Sequence, residues 1–152
     1  MQIVQYGLYN VQDEYFETFK SDFLPDNKQE NRPYYVTYID NDNIIWLIPL
    51  SSQVESYKIK IEKNMKKHGK CLFYHIGIVA GKERVFLIGN MFPVTDKYIK
   101  KEYTLIGKHY VVGNKSLIKE LHSKATKYLR LVADGKLKPN VDILSIKQAL
   151  LI

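Results

Sequence analysis

Two adjacent hydroxyl side chains, Ser51 and Ser52, directly follow an apolar run at residues 44–50. The run is short and contains Pro49, which has no N–H to donate, so it predicts a core strand that ends in a fixed turn. A rigid strand can hold hydroxyls where a substrate reaches them, which makes both serines candidate catalytic residues. The alternative is structural, because adjacent serines also suit the N-cap of a following helix.

The segment before this run predicts which side chains join the serines. Residues 34–39 are β-branched and aromatic, and a polar turn at residues 40–43 connects them to the apolar run, so the two segments predict an antiparallel hairpin. The start of one strand of such a hairpin lies beside the end of its partner. We therefore expect Arg32 and Tyr34 next to the serines, where a cation, a phenol and two hydroxyls share one end of the sheet.

Lysines dominate the segment after the serines. Residues 54–70 carry a sparse apolar stripe and a glycine at position 69, which predicts a helix with a strongly basic face and a glycine stop. Such a face suits phosphate contacts, although many lysine-rich faces are merely solvated. The candidates are Lys58 for catalysis and Lys60, Lys63, Lys66 and Lys67 for binding of a polyanion.

A second hairpin follows the basic helix. Residues 71–79 and 84–88 predict two strands joined by a glycine-containing turn. His75 lies among apolar neighbours in the first of these strands, where it is either an acid–base catalyst or a hydrogen-bonded core histidine. Asn90 follows the second strand in a step bounded by a proline, and it is a candidate to hold a loop or a ligand.

Periodicity predicts the remaining elements. Residues 9–23 predict an amphipathic helix, and residues 26–32 form a polar loop without hydrophobic anchors, which we expect to be mobile when no ligand is bound. After residue 95 the pattern becomes more helical, with a short strand at residues 103–112 as the alternative. Residues 115–134 predict the clearest helix. Its polar side carries two further candidates for polyanion binding, Lys119 and Lys127.

Length and charge restrict the class of protein. With 152 residues the chain is long enough for one domain with its own core, and we expect a single domain spanning residues 1–152. The formal net charge of +7 and the pI near 9.3 favour a polyanionic partner, nucleic acid before an anionic membrane surface. The 12 tyrosines add rings that can stack on bases or fill a core.

The single cysteine, Cys71, excludes an internal disulfide and a cysteine-based zinc site. The N-terminal residues lack the basic start and long apolar segment of a secretory signal, and no apolar run approaches the length of a membrane span. We therefore expect a soluble, cytoplasmic protein without a membrane partner.

Several catalytic motifs are absent from the sequence. There is no glycine-rich phosphate loop with its lysine, no dinucleotide-binding glycine triplet and no paired-histidine zinc motif. The histidines are scattered and no acidic cluster is placed to bind magnesium, so we expect no metal and no cofactor. A basic protein with hydroxyls and cations could instead cleave RNA through the RNA's own 2′-hydroxyl, because the substrate then supplies the nucleophile.

Three motifs occur in a fixed order along the chain. Residues 32–34 (Arg-Pro-Tyr) open a strand, residues 48–52 (Ile-Pro-Leu-Ser-Ser) end the next one, and residues 87–94 (Leu-Ile-Gly-Asn-Met-Phe-Pro-Val) end a later one. Taken together, they resemble the ToxN, AbiQ and CptN toxins of type III toxin–antitoxin systems. The pattern from proline to proline is most similar to the CptN and TenpN branches, and the resemblance covers residues 30–100.

The resemblance implies a fold and an activity. The fold is α+β, with a compact, strongly twisted antiparallel β-barrel-like sheet similar to the MazF and Kid toxins, flanking helices and a helical C-terminal part. The activity is that of a metal-independent endoribonuclease that leaves a 2′,3′-cyclic phosphate and cuts both mRNA and its own repetitive antitoxin transcript. The pseudoknot RNAs made from that transcript inhibit the toxin, and toxin and RNA assemble into closed rings without DNA.

The resemblance also assigns roles to individual residues. The hydroxyl pair of the family falls on Ser51 and Ser52, and its basic position at the start of the preceding strand falls on or next to Arg32. One departure concerns the lysine that follows the hydroxyl pair by two positions in some members, because Val54 stands there in this chain. A catalytic lysine must then come from elsewhere, with Lys58 and Lys60 the nearest candidates, or is not used.

Two other functions remain open at the level of the sequence. The first is a non-catalytic RNA-binding module, in which the lysine face contacts phosphates and tyrosines stack on bases. The second is an interaction protein whose lysines only keep it in solution. Cleavage products separate the endoribonuclease from both, and salt-sensitive RNA binding separates the first alternative from the second.

Overall fold

The computed structural model describes all 152 residues, which form a 7-stranded antiparallel sheet, a separate 2-stranded hairpin and four α-helices. The strands are β1 (Leu8–Val11), β2 (Tyr34–Ile39), β3 (Ile45–Ser51), β4 (Tyr74–Val79), β5 (Lys82–Leu87), β6 (Phe92–Val94), β7 (Ile99–Glu102), β8 (Thr104–Leu105) and β9 (Lys108–His109). The helices are α1 (Asp13–Thr18), α2 (Val54–His68), α3 (Lys115–Ala133) and α4 (Ile143–Leu150).

Strand β3 lies at the centre of a 7-stranded antiparallel sheet. The strand order is β4-β5-β3-β2-β1-β7, and β6 pairs with the first part of β3 while β5 pairs with its last two residues, Leu50 and Ser51. Every residue of β3 is buried. The apolar run therefore forms the core strand that its sequence predicts.

The sheet has two free ends. Strands β4 and β7 terminate the path of paired strands, and no backbone ladder joins one to the other. The prediction of an α+β fold with an antiparallel sheet and flanking helices is confirmed. The barrel-like closure that was expected with it is not seen, because the two terminal strands remain unpaired on their outer sides.

The N-terminal part of the chain differs from its sequence prediction. Residues 8–11 form β1, which pairs with β2 and β7, so the helix that we expected from residue 9 begins only at Asp13. Helix α1 also ends at Thr18, well before residue 23. The apolar and aromatic residues of β1 are compatible with a helix or a strand. They form a strand because β1 pairs with a neighbouring strand on each side.

The two hairpins and the basic helix agree closely with their predictions. Strands β2 and β3 pair over their length, and β4 pairs with β5 in regular register. Helix α2 ends at Gly69, whose left-handed backbone (φ 72°) donates its N–H to the carbonyl of Met65. After residue 95 the chain forms a 3₁₀ turn, then β7 and the short β8–β9 hairpin, so the strand alternative was the better prediction for residues 103–112.

Different helices cover the two faces of the sheet at β4 and β5. Helix α3 packs on one face, where a Cβ atom on Gly77 would lie only 2.7 Å from a methyl group of Leu117, so the glycine permits the close approach. Helix α2 lies on the other face, where the rings of Tyr57 and Tyr74 are 5.0 Å apart. We call these the α3 face and the serine face, because Ser51 shares the second one with Tyr74 by strand alternation.

Tyrosines build much of the hydrophobic core. The buried ones belong to a single cluster of 28 buried residues, and they are Tyr9, Tyr15, Tyr34, Tyr35, Tyr98 and Tyr128. Half of the tyrosines are therefore not accessible for stacking on bases, which leaves the other half for such a role. No helix is both long and apolar enough to cross a membrane.

Candidate functional site

The start of β2 meets the end of β3, as the hairpin predicted. Tyr34 is the register partner of Pro49, and the N–H of Leu50 donates to the carbonyl of Pro33 at 3.3 Å. The Nη1 atom of Arg32 donates to the carbonyl oxygen of Leu50 at 3.2 Å. The guanidinium group is thus held beside the end of β3, directly before the two serines.

Arg32 carries a charge that the protein does not balance. Its Nε atom is buried and has no hydrogen-bond partner, and none of the ion pairs of the protein includes this residue. A buried N–H of a cation without a partner is unfavourable, because it loses hydration and gains nothing in exchange. The planar fork of arginine binds phosphate with two parallel hydrogen bonds. The guanidinium is therefore a candidate to bind an oxyanion through its other N–H groups.

The two serines have different environments. Ser51 is 8% exposed, and its Oγ accepts a hydrogen bond from the N–H of Gln53 at 3.1 Å, which stabilises the turn into α2. Ser52 is exposed, and its hydroxyl forms no hydrogen bond within the protein. The N-cap of α2 is Gln53. Neither serine is therefore the helix cap of the alternative prediction, and Ser52 is free to contact a substrate.

A buried asparagine holds the loop that precedes Arg32. Asn27 is 7% exposed, and its Nδ2 donates to the carbonyl of Val11 and to a carboxylate oxygen of Asp13, both at 2.8 Å. Its Oδ1 accepts from the hydroxyl of Tyr34 at 2.8 Å. The expectation of a loop without anchors at residues 26–32 is correct for hydrophobic anchors but misses this polar one.

The same loop contains three consecutive residues with left-handed backbone, Lys28, Gln29 and Glu30, at φ 50°, 57° and 67°. Residues other than glycine rarely adopt this conformation, because each one costs about 1 kcal/mol or more. The carbonyl of Asn27 accepts hydrogen bonds from the N–H groups of Asn31 and Arg32, which closes the turn. The strained turn therefore depends on hydrogen bonds to Asn27. The turn places Arg32 beside the end of β3.

A second asparagine supports Arg32 from β1. The Nδ2 atom of Asn10 donates to the carbonyl oxygen of Arg32 at 3.1 Å, and Asn10 itself is 2% exposed. Sequence reasoning missed both Asn10 and Asn27. These hydrogen bonds join residues far apart in the chain, so no local spacing signals them.

Tyr34 lies inside the protein. Its side chain is fully buried, its hydroxyl donates to Asn27, and its ring lies 5.4 Å from that of Phe92. Burial raises the pKa of the phenol well above its ordinary value, although the charge of Arg32 acts in the opposite direction. The position of Tyr34 therefore points to support of the loop rather than contact with a substrate.

Lys58 is exposed and is surrounded by acids. Its Nζ lies 3.5 Å from a carboxylate oxygen of Glu55 and 3.4 Å from one of Glu83. The negative charge of Glu55, followed by that of Glu83, raises the pKa of the lysine. Lys58 is thus held in its protonated form, which suits a role as a cation and does not suit a general base.

The other lysines of α2 lie on an open surface. No residue of α2 is fully buried. The ammonium group of Lys60 lies 4.7 Å from the centre of the Tyr57 ring, a cation–π distance that links the basic face to the serine face. The remaining candidates on this helix are exposed, and they are Lys63, Lys66 and Lys67.

His75 belongs to the other side of the sheet. It shares the α3 face with Gly77, and its Nε2 lies 2.8 Å from a carboxylate oxygen of Glu120 in α3. The side chains of His75 and Ser51 therefore lie on opposite faces of the sheet. His75 is thus the hydrogen-bonded, half-buried histidine of the alternative prediction. It is misplaced as a catalytic partner of Ser51.

Burial lowers the pKa of His75, and Lys124 lowers it further, against the opposing charge of Glu120. The short distance to Glu120 by itself favours a charged ring, but burial outweighs it, so the neutral ring donates to the carboxylate. In the folded state the pKa of His75 is below its ordinary value of about 6.5, which the residue has in the unfolded state. As the pH falls, the unfolded state is therefore protonated first. The contribution of this residue to stability is complete above about pH 6.5 and is lost as the pH falls.

We therefore expect His75→Phe to reduce the acid sensitivity of the fold. Between about pH 7 and pH 5, the free energy of unfolding of the wild type should fall by up to about 1 kcal/mol more than that of the variant. Urea unfolding at both pH values measures the difference. A variant that loses stability as steeply as the wild type would show that this ring does not titrate in the window.

The three remaining candidates lie apart from the serines. Asn90 donates from Nδ2 to the carbonyl oxygen of Phe23 at 3.1 Å, so it holds the loop after α1. Lys119 is exposed on α3, and Lys127 lies further along the same helix, where the proximity of Lys70 lowers its pKa. The predicted polyanion-binding residues are thus divided between α2 and α3.

The side chains provide no cluster of three or more histidine, cysteine, aspartate or glutamate residues close enough to hold a metal ion. The chemistry available near the serines consists of hydroxyl groups, the guanidinium of Arg32 and the ammonium groups of α2. These groups can orient and stabilise a phosphodiester.

Comparison with known proteins shows a shared fold without close sequence relatives. No protein-family model matches the chain, and a search of curated proteins finds no match. Among solved structures, the chain is similar to AbiQ, a lactococcal anti-phage endoribonuclease belonging to the type III toxin–antitoxin system, with a TM-score of 0.73 and 17% identity over 97% of this chain and 96% of AbiQ. It is also similar to a protein of a bacterial antiviral system that a processed non-coding RNA regulates, with a TM-score of 0.65 and 16% identity over 93% and 95% of the two chains.

Proposed function

We propose that this protein is the endoribonuclease toxin of a type III toxin–antitoxin system, acting as a single cytoplasmic domain. The observation that carries the proposal is the half-buried guanidinium of Arg32, which belongs to no ion pair, has an unpartnered Nε and lies beside the end of β3 just before Ser51 and Ser52. A phosphodiester supplies the oxygens that this guanidinium lacks. The fold shared with AbiQ, which is an endoribonuclease of such a system, supports the same conclusion.

The reaction is cleavage of RNA by its own 2′-hydroxyl. The 2′-oxygen attacks the adjacent phosphorus, the bond from phosphorus to the 5′-oxygen breaks, and the products are a 2′,3′-cyclic phosphate and a 5′-hydroxyl. Arg32 stabilises the negative charge that develops on the phosphoryl oxygens, and the hydroxyl of Ser52 donates to the same group. The proton of the 2′-hydroxyl passes to solvent water, and the leaving 5′-oxygen takes up a proton from solvent water.

The RNA strand runs over the basic surface that begins at the serines. Lys58, held as a cation, and the lysines of α2 contact the phosphates next to the cleaved one. Asn90 and the basic residues of α3 contact more distant parts of the RNA. The full set of RNA-binding candidates is Lys60, Lys63, Lys66, Lys67, Asn90, Lys119 and Lys127.

The proposed partner that controls the activity is also RNA. The substrates are mRNA and the repetitive transcript that carries the antitoxin, and the pseudoknot RNAs cut from this transcript occupy the site and inhibit the enzyme in a closed ring of toxin and RNA. Regulation by a processed non-coding RNA in the antiviral system of the second structural relative supports this part of the proposal.

Cleavage should proceed without a metal and should depend on Ser52. We expect the wild-type protein to cut RNA in the presence of a chelator, and Ser52→Ala to cut about 100-fold more slowly, because one donor to the developing charge is lost. End-group analysis of the RNA identifies the 2′,3′-cyclic phosphate and the 5′-hydroxyl.

Ser56→Ala is the matched control, since Ser56 is an exposed serine of α2 whose hydroxyl donates only to the carbonyl of Gln53. This control should retain wild-type activity. Full activity of Ser52→Ala would remove Ser52 from the mechanism, and complete inhibition by the chelator would contradict the metal-independent reaction.

A non-catalytic RNA-binding module is the second candidate function. It is favoured by one observation: of the predicted acid–base residues, Lys58 is held protonated by two acids and His75 lies on the α3 face. In that case the purified protein binds RNA with strong dependence on salt and yields no cyclic phosphate. The end-group analysis above therefore separates the two functions.

A further inference from the structure

The short hairpin β8–β9 carries an isoleucine at its tip that is almost completely exposed. Ile106 and Gly107 form the two-residue loop between the strands, and Ile106 is 96% exposed. Leu105, the residue before it, is 40% exposed. Removal of an apolar side chain from water is favourable, and the protein offers Ile106 no such burial. The hairpin therefore presents an apolar group to its surroundings.

The backbone of this loop does not suit an isoleucine. Ile106 and Gly107 have φ values of 52° and 74°, the left-handed pair that a type I′ hairpin turn requires. Asparagine, aspartate and glycine are favoured at the first position of this turn, whereas a β-branched residue at positive φ is an outlier. Ile106 thus occupies an unfavourable backbone conformation and gains no contact within the protein in return.

The other hairpin turns of the chain have more suitable residues at positive φ. The loop between β4 and β5 consists of Ala80 and Gly81, at φ 54° and 78°. In the turn between β2 and β3 the residue with positive φ is Asn43, at φ 61°. Alanine is not β-branched, and asparagine adopts this region more readily than most residues. Since Ile106 breaks the local rule without a benefit to the fold, it is a candidate for contact with a partner.

The base of the hairpin is fixed to β1 and β7. The Nε2 atom of His109 lies 2.9 Å from the carbonyl oxygen of Leu8, and its Nδ1 lies 3.3 Å from a carboxylate oxygen of Glu102. A Cβ atom on Gly7 would lie only 2.8 Å from the imidazole ring, so this close contact requires glycine. A fixed base holds the tip in one position, which reduces the entropy lost when a partner binds.

The charges beside the tip favour a polyanionic partner. Lys108 is the register partner of Leu105, so their side chains lie on the same face of the hairpin, and Lys101 precedes the hairpin in β7. Both lysines are exposed and belong to no ion pair of the protein. The one carboxylate of residues 99–110, Glu102, lies against His109. An RNA strand offers apolar base faces to the tip and phosphates to the lysines.

We propose that the β8–β9 hairpin is an additional RNA contact, in which Ile106 packs against the face of an unpaired base while Lys101 and Lys108 contact neighbouring phosphates. The hairpin holds the RNA and takes no part in the cleavage step. In the choice of RNA as the partner this inference rests on the proposed function, but binding at the hairpin does not require that the RNA is cut.

The test is RNA binding by Ile106→Asn, measured by fluorescence anisotropy. The probe is a labelled single-stranded RNA with 2′-O-methyl groups, which cannot be cut by attack of its own 2′-hydroxyl. We expect affinity to fall about threefold to tenfold, because the contact with a base is lost. Thermal unfolding should occur at a higher temperature, because asparagine is favoured at this turn position. Weaker binding by a more stable protein excludes damage to the fold as the cause.

Ala80→Asn is the matched control, since it places the same side chain at the same position of the β4–β5 turn. It should raise the unfolding temperature and leave the affinity for RNA unchanged. Ile106→Phe tests the apolar contact in the opposite direction, because a ring covers more of a base, and it should bind as tightly as the wild type or more tightly.

The lysines are tested by the salt dependence of binding. For Lys101→Met/Lys108→Met, the slope of log K against log salt should become shallower by about 0.7 for each lysine removed. The proposal is overturned if this slope equals that of the wild type, if Ile106→Asn binds RNA with unchanged affinity, or if Ala80→Asn loses affinity to the same extent.

The failure of this inference is distinguishable from the failure of the proposed function. If the wild type cuts unmodified RNA and Ile106→Asn binds the probe like the wild type, the hairpin contact is wrong and the endoribonuclease stands. If the wild type cuts no RNA and Ile106→Asn still binds the probe more weakly than Ala80→Asn, the hairpin contact stands and the endoribonuclease is wrong.

Discussion

Arg32→Ala is expected to slow RNA cleavage by about 100- to 1,000-fold, the range for loss of a group that stabilises charge in a transition state. The guanidinium lies beside the end of β3, with Nη1 donating to the carbonyl of Leu50 and Nε without a partner. Its removal takes away the principal cation at the proposed phosphodiester. Single-turnover cleavage of a labelled RNA measures the loss.

The same substitution should not destabilise the fold, and this difference identifies the role of the residue. A half-buried arginine with an unpartnered N–H contributes little to stability, so we expect the free energy of unfolding to remain within about 1 kcal/mol of the wild type or to increase. A structural arginine would show the opposite pattern, with a large loss of stability and a loss of activity only in proportion to unfolding.

Two controls accompany this prediction. Arg32→Lys keeps the charge but loses the planar fork, so it should retain more activity than alanine and less than the wild type. Arg130→Ala removes an exposed arginine in the last turn of α3 and should have little effect on cleavage. Wild-type cleavage by Arg32→Ala would refute the assignment of the oxyanion site to this residue.

Asn27→Ala is expected to be the most destabilising single change near the site, at about 2–4 kcal/mol in the free energy of unfolding. The substitution leaves the buried hydroxyl of Tyr34 without its acceptor and the carbonyl of Val11 without its donor. It also removes the anchor of the left-handed turn at residues 28–30, which then can relax toward ordinary backbone. Urea denaturation measures the stability, and cleavage under conditions where the variant is folded measures the displacement of Arg32.

The variant Tyr34→Phe tests whether Tyr34 supports the loop through Asn27 or takes part in RNA cleavage. This change removes one hydrogen bond to Asn27 and keeps the buried ring, so we expect a loss of about 1–2 kcal/mol and cleavage close to that of the wild type. If Tyr34→Phe abolished cleavage while the protein stayed folded, the phenol would have to act on the RNA itself. That result would restore Tyr34 as a catalytic residue.

The sequence alone determined the elements that surround the site. The apolar run before Ser51 became β3, residues 34–39 became its hairpin partner, and the glycine at position 69 ended α2 as predicted. These features depend on local signals, namely hydrophobic periodicity, turn residues and glycine stops, which are readable from a short window of sequence. The antiparallel pairing of the hairpin also followed, so the approach of Arg32 to the end of β3 was predictable, whereas the bulge between Val36 and Tyr38 was not.

The tertiary structure decided which candidates can act together. Helix α2 covers the serine face and α3 covers the opposite one, so His75 pairs with Glu120 and lies on the face opposite Ser51. Tyr34 lies inside the core, and Asn27, which no motif marked, controls the loop. Contacts of this kind join residues that are distant in the chain, and they depend on which side of a sheet each helix packs. The side of the sheet on which a helix packs follows from the packing of the whole core, so it cannot be predicted from a local sequence pattern.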